Sequence, residues 1–262
     1  TLAILISACD IFTVSTGNIP GYNLSKPESI TVLPEAIHEI SGMTLIDNSS
    51  FACIEDEDGI LFIYDFRKKE ITRQLDFWGH GDYEGITRVK GTIYVLRSDG
   101  FLFEIANYES SKPDVSPFAT GIPRSDNEGV CYDHDNNRLL ITCKEYIGKG
   151  SKTKYKRVIF GFDLETKKLS DKPVYSFDLR DIGKFASEND MNIHILSKKK
   201  TSMDENILRF HPSDIAFHPV TGEIFILSAV DYLLAVFDIQ GNIRHLAMLN
   251  PTLFNQPEGI IF

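Results

Sequence analysis

Asp82-Tyr83-Glu84-Gly85-Ile86 is the stretch that decides the fold, because the chain repeats it. It returns as Asp126-Asn127-Glu128-Gly129-Val130 and as Gln256-Pro257-Glu258-Gly259-Ile260. Weaker copies are Glu39-Ile40-Ser41-Gly42-Met43 and His211-Pro212-Ser213-Asp214-Ile215. The equivalent positions are separated by 43, 44, 85 and 45 residues, and they are Ser41, Glu84, Glu128, Ser213 and Glu258. A fixed period in this range is typical of a repeat architecture.

Short strand-like runs follow each copy of the phrase. After Glu84 they cover residues 86–89, 92–96 and 101–105, separated by the turn signals Lys90-Gly91 and Asp99-Gly100. About four short antiparallel strands in roughly 40–45 residues are typical of a propeller blade. We therefore predict an all-β fold, a β-propeller of five four-stranded blades. Residues 180–212 contain no clear set of strands, which indicates an insertion, and six blades with a degenerate fourth is the alternative.

The ends of the chain differ in character from the repeats. Residues 1–8 are apolar and lead into Ile6-Ser7-Ala8-Cys9, which resembles a bacterial lipobox. We predict a signal-peptide remnant over 1–8, a lipidated Cys9 with a tether over 9–27, and the propeller over 28–262. A buried N-terminal strand is the alternative for the first segment. Residues 29–33 are predicted to close the ring as a strand of the last blade, which we expect to be truncated at its C-terminal side.

Composition narrows the classes of partner and site. The net charge of −10 argues against a nucleic-acid partner and favours cations or basic partners, although an acidic soluble surface explains the same charge. The four cysteines, Cys9, Cys53, Cys131 and Cys143, have no zinc-site spacing. A Cys131–Cys143 bridge is conceivable, but buried free thiols are favoured. The chain contains no nucleophile elbow, phosphate loop or H-E-x-x-H motif.

Equal repeat position predicts one site at the mouth of the central channel. Glu84, Glu128 and Glu258 should converge there, and three carboxylates without cysteine or paired histidine suit Ca²⁺ better than Zn²⁺. We therefore predict these glutamates as metal ligands. The same end of the ring supplies further ligand-binding candidates, which are Glu39, Glu57, Asp82, Arg97, Asp126, Lys144, Glu145 and His211. The alternative is structural, because a glutamate at a strand start can accept backbone N–H groups and latch neighbouring blades together.

These motifs together resemble the SdiA-regulated family of bacterial propellers. The resemblance rests on the phrases above, on Glu55-Asp56-Glu57-Asp58-Gly59 and on Tyr94-Val95-Leu96-Arg97-Ser98-Asp99-Gly100, and it runs from about Ile37 to Phe262. It implies an exported or membrane-attached propeller, distantly similar to NHL-repeat and phytase-like esterase propellers. It implies no particular reaction.

The function expected from the sequence is a binding module anchored to a bacterial membrane through lipid, in the cell envelope. Its acidic channel mouth would hold Ca²⁺ or a cationic ligand. The alternative is a calcium-dependent hydrolase of phosphate or carboxylic esters, with Glu84 or Glu128 as general base and Arg97 and Lys144 stabilising the developing charge. The binding function is favoured because no dedicated nucleophile is visible.

Overall fold

The computed structural model describes residues 19–123, 126–144, 154–191, 193 and 207–262. Within these residues the chain forms four small antiparallel sheets, one after another along the sequence. The prediction of an all-β propeller is confirmed. The blade count differs from the predicted five, since the described residues form four blades and a terminal segment (residues 258–262) that is not paired as a strand.

Each blade begins with an inner strand and proceeds outward. Blade 1 contains β1 (Ile40–Leu45), β2 (Ser50–Glu55), β3 (Ile60–Asp65) and β4 (Glu70–Asp76). Blade 2 contains β5 (Tyr83–Val89), β6 (Thr92–Arg97), β7 (Phe101–Ala106) and β8 (Asp114–Ala119). Blade 3 contains β9 (Asn127–Asp133), β10 (Arg138–Cys143), β11 (Lys156–Asp163), β12 (Lys168–Leu169) and β13 (Tyr175–Asp178), the last two both pairing with β11. Blade 4 contains β14 (Asp214–Phe217), β15 (Ile224–Ser228), β16 (Leu233–Phe237) and β17 (Ile243–Met248).

The region predicted as an insertion begins with a helix. Helix α1 (Leu179–Glu188) starts at Asp178, whose side chain accepts the backbone N–H of Arg180. Its buried residues include Ile182 and Ala186, which pack on the core shared by blades 3 and 4. A helical spacing of apolar residues explains why this stretch shows no alternating strand pattern. The strand-like run at 192–196 lies outside the described residues, apart from residue 193.

The hydrophobic core is distributed between neighbouring blades. Apolar side chains of blades 1 and 2 form one cluster, those of blades 2 and 3 another, and those of blades 3 and 4 a third that includes α1. Cys53, Cys131 and Cys143 are buried free thiols, as favoured from the sequence, whereas Cys9 lies outside the described residues. None of the helices in the described part of the chain combines the length and apolar character needed to cross a bilayer.

The predicted closing strand is wrong. Residues 29–33 form no strand in the structure. Ile30 and Val32 are 74% and 90% exposed. The alternating apolar residues that suggested a strand therefore do not pack against a sheet. Only Leu33 of this run packs on blade 1.

The terminal segment lies where the ring must close. Its Ile261 packs on the blade 1 cluster, and Phe262 packs on the blade 4 cluster. The backbone N–H of Ile260 donates to Asp214 Oδ2 of blade 4 at 2.8 Å. The segment therefore forms a fifth wall of the central channel, beside the inner strands β1, β5, β9 and β14.

Candidate functional site

Glycines in the repeated phrase set how closely the inner strands approach. A Cβ atom on Gly85 would lie 3.0 Å from the backbone oxygen of Glu128, in the next blade. On Gly129 it would lie 2.7 Å from the Cα atom of Asp214, and on Gly42 3.2 Å from the Cα atom of Gly85. At each of these positions the absence of a side chain allows a neighbouring inner strand to approach closely. The last copy follows the rule, because a Cβ on Gly259 would meet the side chain of Met43 at 3.0 Å.

The residue before each glycine lies in a β-bulge. In blade 1, Ile40 pairs with Glu55 and Gly42 pairs with Ile54, so Ser41 is left over. The same shift leaves Glu84 unpaired between Tyr83 and Gly85 in blade 2. In blade 3 it leaves Glu128 unpaired between Asn127 and Gly129. A bulge redirects the side chain of its extra residue. The side chains of these three repeat-equivalent residues therefore all depart from the regular up-and-down alternation of their sheets.

These bulge residues line one cavity at the end of the channel, which we call the mouth cavity. Its volume is about 190 Å³. The five repeat-equivalent positions all contribute to its wall, together with residues from the ends of second strands and adjoining loops. The full lining is Ser41, Asp56, Glu84, Glu128, Lys144, His211, Ser213, Ala229, Val230 and Glu258.

The mouth cavity contains an excess of carboxyl groups over cationic groups. Lys144 is the only ammonium group among the described residues that line it, facing four carboxyl side chains. Its Nζ lies 2.9 Å from Glu128 Oε1, in a pair whose glutamate side chain is only 6% exposed. Burial opposes the charge on Lys144, but the hydrogen bond to Glu128 and the charges of the nearby carboxyl groups together outweigh burial and raise the pKa of the lysine. Burial raises the pKa of Glu128 as well, against the opposing effect of Lys144.

The carboxyl groups away from this pair hold protons more tightly than usual. Burial, followed by repulsion from Glu128 and Asp82, raises the pKa of Glu84 to about 8. Burial and the nearby Asp56 raise the pKa of Glu258. At neutral pH Glu84 is therefore mostly neutral, and a positive charge entering the cavity would favour its ionisation.

Replacing Glu84 should flatten the pH dependence of stability. The raised pKa means that the folded state keeps a proton that the unfolded chain loses, so this residue's contribution falls as the pH rises from about 4.5 to 8. Because the group is only partly buried, solvent screening reduces the effect, and we expect about 2 kcal/mol between pH 5 and pH 8. Glu84→Gln should remove that slope in urea unfolding curves measured across the range. Glu109→Gln, at an exposed site, serves as the control. Parallel pH profiles for wild type and Glu84→Gln would contradict the assignment.

Of the remaining candidates, those within the described residues lie outside the mouth cavity. Glu39 is exposed and contacts His38, and Glu57 is exposed. Arg97 turns away, forming a 2.8 Å ion pair with Asp99 and stacking over Phe101. Asp82 and Asp126 do not line the cavity, but both act on the pKa of Glu128 through their charge. Glu145 lies outside the described residues.

The structural alternative for the repeated glutamates was that they accept backbone N–H groups and join neighbouring blades. In blade 4 an aspartate forms such hydrogen bonds, at the repeat position that follows the glutamate position. Asp214, which takes the place of the glycine in blade 4, accepts backbone N–H groups from Ile215 and Ile260, both at 2.8 Å. The second of these joins blade 4 to the terminal segment. Burial raises the pKa of Asp214 to about 8, against the lowering effect of both hydrogen bonds. No comparable backbone hydrogen bond to Glu84 or Glu258 is present among the described residues.

The donor set does not match a metal centre. Among the described residues, no three His, Cys, Asp or Glu side chains are grouped closely enough to hold one metal ion. Glu128 is already engaged by Lys144, and Glu84 carries a proton near neutral pH. Calcium binding by Glu84, Glu128 and Glu258 stays a prediction.

Sequence reasoning did not identify Asp231 as a site residue. This aspartate lies in the turn between β15 and β16, and its Oδ2 lies 2.9 Å from His211 Nδ1. Nothing in the repeated phrase points to it, because the residue is not repeat-equivalent to any other candidate. Asp56 is no site candidate in the sequence, where it belongs only to the Glu55-Asp56-Glu57-Asp58-Gly59 stretch, and the structure adds it to the cavity wall.

Comparison with known proteins bears on the fold. No protein-family model matches the chain, and no curated protein matches it. Streptogramin B lyase aligns with a TM-score of 0.46 at 8% identity, over 79% of this chain and 54% of its own. Hydrazine synthase of Kuenenia stuttgartiensis aligns with a TM-score of 0.46 at 12% identity, over 88% and 52%. The nidogen/laminin complex aligns with a TM-score of 0.50 at 12% identity, over 85% and 68%.

The chain thus spans about half the length of the first two of these structures. At these identities the similarity concerns the fold alone, and the alignment with the nidogen/laminin complex agrees with a β-propeller. Since no family model matches, the resemblance to the SdiA-regulated family stays a prediction.

Proposed function

We propose that this β-propeller is a binding module whose mouth cavity takes a compact organic cation. The observation that carries the proposal is the lining of that cavity, where four carboxyl groups face one ammonium group. Like charges gathered at short range are relieved by a bound cation. The proposal keeps the binding function expected from the sequence and narrows the class of ligand.

A buried hydroxyl group supports a bound ligand independently of charge. Ser41 is 6% exposed, and its Oγ has no hydrogen-bond partner in the described part of the chain. A buried polar group without a partner is costly, so an unpaired hydroxyl in a cavity wall favours a ligand that completes it. A cation with its own oxygen atom, such as an amino alcohol, would satisfy both the carboxyl groups and this hydroxyl.

The proposed binding should be coupled to proton release. A cation requires Glu84 to ionise, and below its pKa of about 8 that ionisation costs free energy. We therefore expect the affinity for choline or ethanolamine to rise from pH 6 to pH 8, by up to about tenfold per pH unit, and then to level off. Isothermal titration calorimetry in buffers of different ionisation enthalpy measures the affinity and the released protons together.

Matched variants separate this site from general surface charge. Glu84→Gln should bind with little pH dependence, whereas Glu109→Gln should behave as wild type. Calcium chloride is a separate arm, in which a thermal shift that EDTA reverses would support the metal prediction instead. Absence of binding by all of these cations, at millimolar concentration and pH 8, would overturn the proposal.

The location of the module is a second part of the proposal. The lipobox-like Ile6-Ser7-Ala8-Cys9 supports a lipid anchor that tethers the propeller to a membrane of the bacterial cell envelope. These residues lie outside the described part of the chain, so the support is from sequence alone.

A further inference from the structure

A histidine in the wall of the mouth cavity pairs with an aspartate. His211 Nδ1 lies 2.9 Å from Asp231 Oδ2, and the histidine side chain is 27% exposed while the aspartate is 7% exposed. Asp231 Oδ2 also accepts the Ser228 hydroxyl group at 2.8 Å and the backbone N–H of His211 at 3.0 Å. Arg209 Nε lies 3.4 Å from the other oxygen, Oδ1. The aspartate is therefore held from four directions.

These contacts determine which nitrogen of the imidazole is available. Burial alone would raise the pKa of Asp231, but hydrogen bonds from His211 and Ser228 lower it. The aspartate is therefore ionised and acts as a hydrogen-bond acceptor. In the neutral imidazole the proton consequently lies on Nδ1, and Nε2 keeps its lone pair. Within the described residues Nε2 forms no hydrogen bond. A histidine that is oriented by a carboxylate and retains a free nitrogen is the arrangement of a general base.

Hydrogen-bond donors line the same cavity. Lys144 supplies an ammonium group, and Ser41 supplies a buried hydroxyl group without a partner among the described residues. Donors of this kind stabilise negative charge that develops on a carbonyl oxygen.

We propose that the mouth cavity hydrolyses small carboxylic esters that carry a cationic group, with His211 as the general base. The inference rests on the proposed function, because the substrate enters the cavity as the cation does. Nε2 of His211 takes a proton from water while the water oxygen forms a bond to the carbonyl carbon. The bond from that carbon to the alcohol oxygen then breaks, and the alcohol takes the proton from the imidazolium. One water is consumed, and a carboxylic acid and an alcohol are produced.

The charge of the cavity favours this substrate class over phosphate esters. Its carboxyl groups outnumber its single ammonium group, so an anionic phosphate would be repelled. The sequence-based alternative assigned the base to Glu84 or Glu128. Glu84 pairs with the cationic group of the bound substrate and Glu128 is engaged by Lys144, which leaves His211 as the base.

The test uses acetylcholine as a cationic ester and its uncharged isostere 3,3-dimethylbutyl acetate as a neutral one. We expect wild type to hydrolyse the cationic ester with the higher kcat/KM. His211→Gln should lower kcat by at least about 100-fold, as for removal of a general base. His134→Gln removes an exposed histidine outside the cavity and should leave the rate unchanged. Hydrolysis of neither ester above the uncatalysed rate, or full activity of His211→Gln, would overturn the proposal.

Asp231 is a positioning residue, and its role is tested separately. Asp231→Asn should lower kcat by about 10-fold or more with little change in KM, and Asp231→Glu should restore part of the rate. Nitrogen NMR of the histidine ring should show the proton on Nδ1 in wild type and a shift toward Nε2 in Asp231→Asn. An unchanged tautomer together with an unchanged kcat would remove Asp231 from the mechanism.

Binding and hydrolysis can fail independently. Choline binding by calorimetry should be retained in His211→Gln, because the carboxyl groups that attract the cation are unchanged. Choline binding without ester hydrolysis would overturn only the catalytic inference. Absence of both choline binding and ester hydrolysis in wild type would overturn the proposed function as well.

Discussion

Gly129→Ala should lower the melting temperature by about 6–12 °C, corresponding to about 3 kcal/mol for a protein of this size. The added methyl group would lie 2.7 Å from the Cα atom of Asp214 and 2.9 Å from the backbone nitrogen of Ile215. Both contacts are backbone atoms of the inner strand of blade 4, so no side chain can rotate to make room. Relief requires blades 3 and 4 to separate, which would also disturb the apolar cluster between them.

The matched control is Gly91→Ala, in the turn between β5 and β6. A Cβ atom there meets nothing within 4 Å, so the change should alter the melting temperature by no more than about 1–2 °C. Calorimetry of both variants beside wild type measures the difference. If Gly129→Ala and Gly91→Ala have the same melting temperature, the close approach of the inner strands does not contribute to the stability of the ring.

Lys144→Met should produce the second largest effect, and the loss should grow with pH. The change leaves Glu128, whose side chain is 6% exposed, without its cation. Breaking a buried pair costs about 3–5 kcal/mol when the remaining charge stays ionised, and the partial exposure of Lys144 reduces this to about 2–3 kcal/mol. Because burial raises the pKa of Glu128, the carboxyl group takes up a proton more readily as the pH falls, so the loss of stability is smaller at low pH and grows as the pH rises.

The double variant Lys144→Met with Glu128→Gln isolates the pair. A neutral amide needs no counter-ion, so the double variant should recover most of the stability lost in the single one at pH 8. Urea unfolding of the four proteins in the cycle gives the coupling free energy directly. A double variant that is as unstable as Lys144→Met would show that the lysine acts through packing rather than through the glutamate.

Much of the fold could be predicted from the sequence because its main signals are local and repeated. The spacing of Glu84 and Glu128 implied one blade per interval, and the short apolar runs match β5 to β7 closely. The predicted closing strand failed for the same reason. Apolar and polar residues alternate over residues 29–33 as in a strand. A local pattern does not reveal whether a sheet edge is available for such a segment to pair with.

The site was predictable only where it follows the repeat. Glu84, Glu128, Glu258, Lys144 and His211 line the mouth cavity, and each belongs to a repeated phrase or to the end of a second strand. Asp231 could not be found in this way, since it reaches His211 from a single turn 20 residues away. Arg97 was misplaced because the sequence does not reveal that Asp99 and two aromatic rings hold it elsewhere.

The bulges in the inner strands have a consequence for how such a protein can diversify. In each of the first three blades the glycine governs how near the next strand lies, while the residue before it reaches the mouth. Two neighbouring positions thus serve two independent requirements, one for the spacing of the blades and one for the lining of the mouth cavity. Mutation at 41, 84 or 128 can therefore alter the chemistry of that cavity without first breaking the ring. Descendants of one ancestral propeller can differ at the mouth through these positions, one substitution at a time.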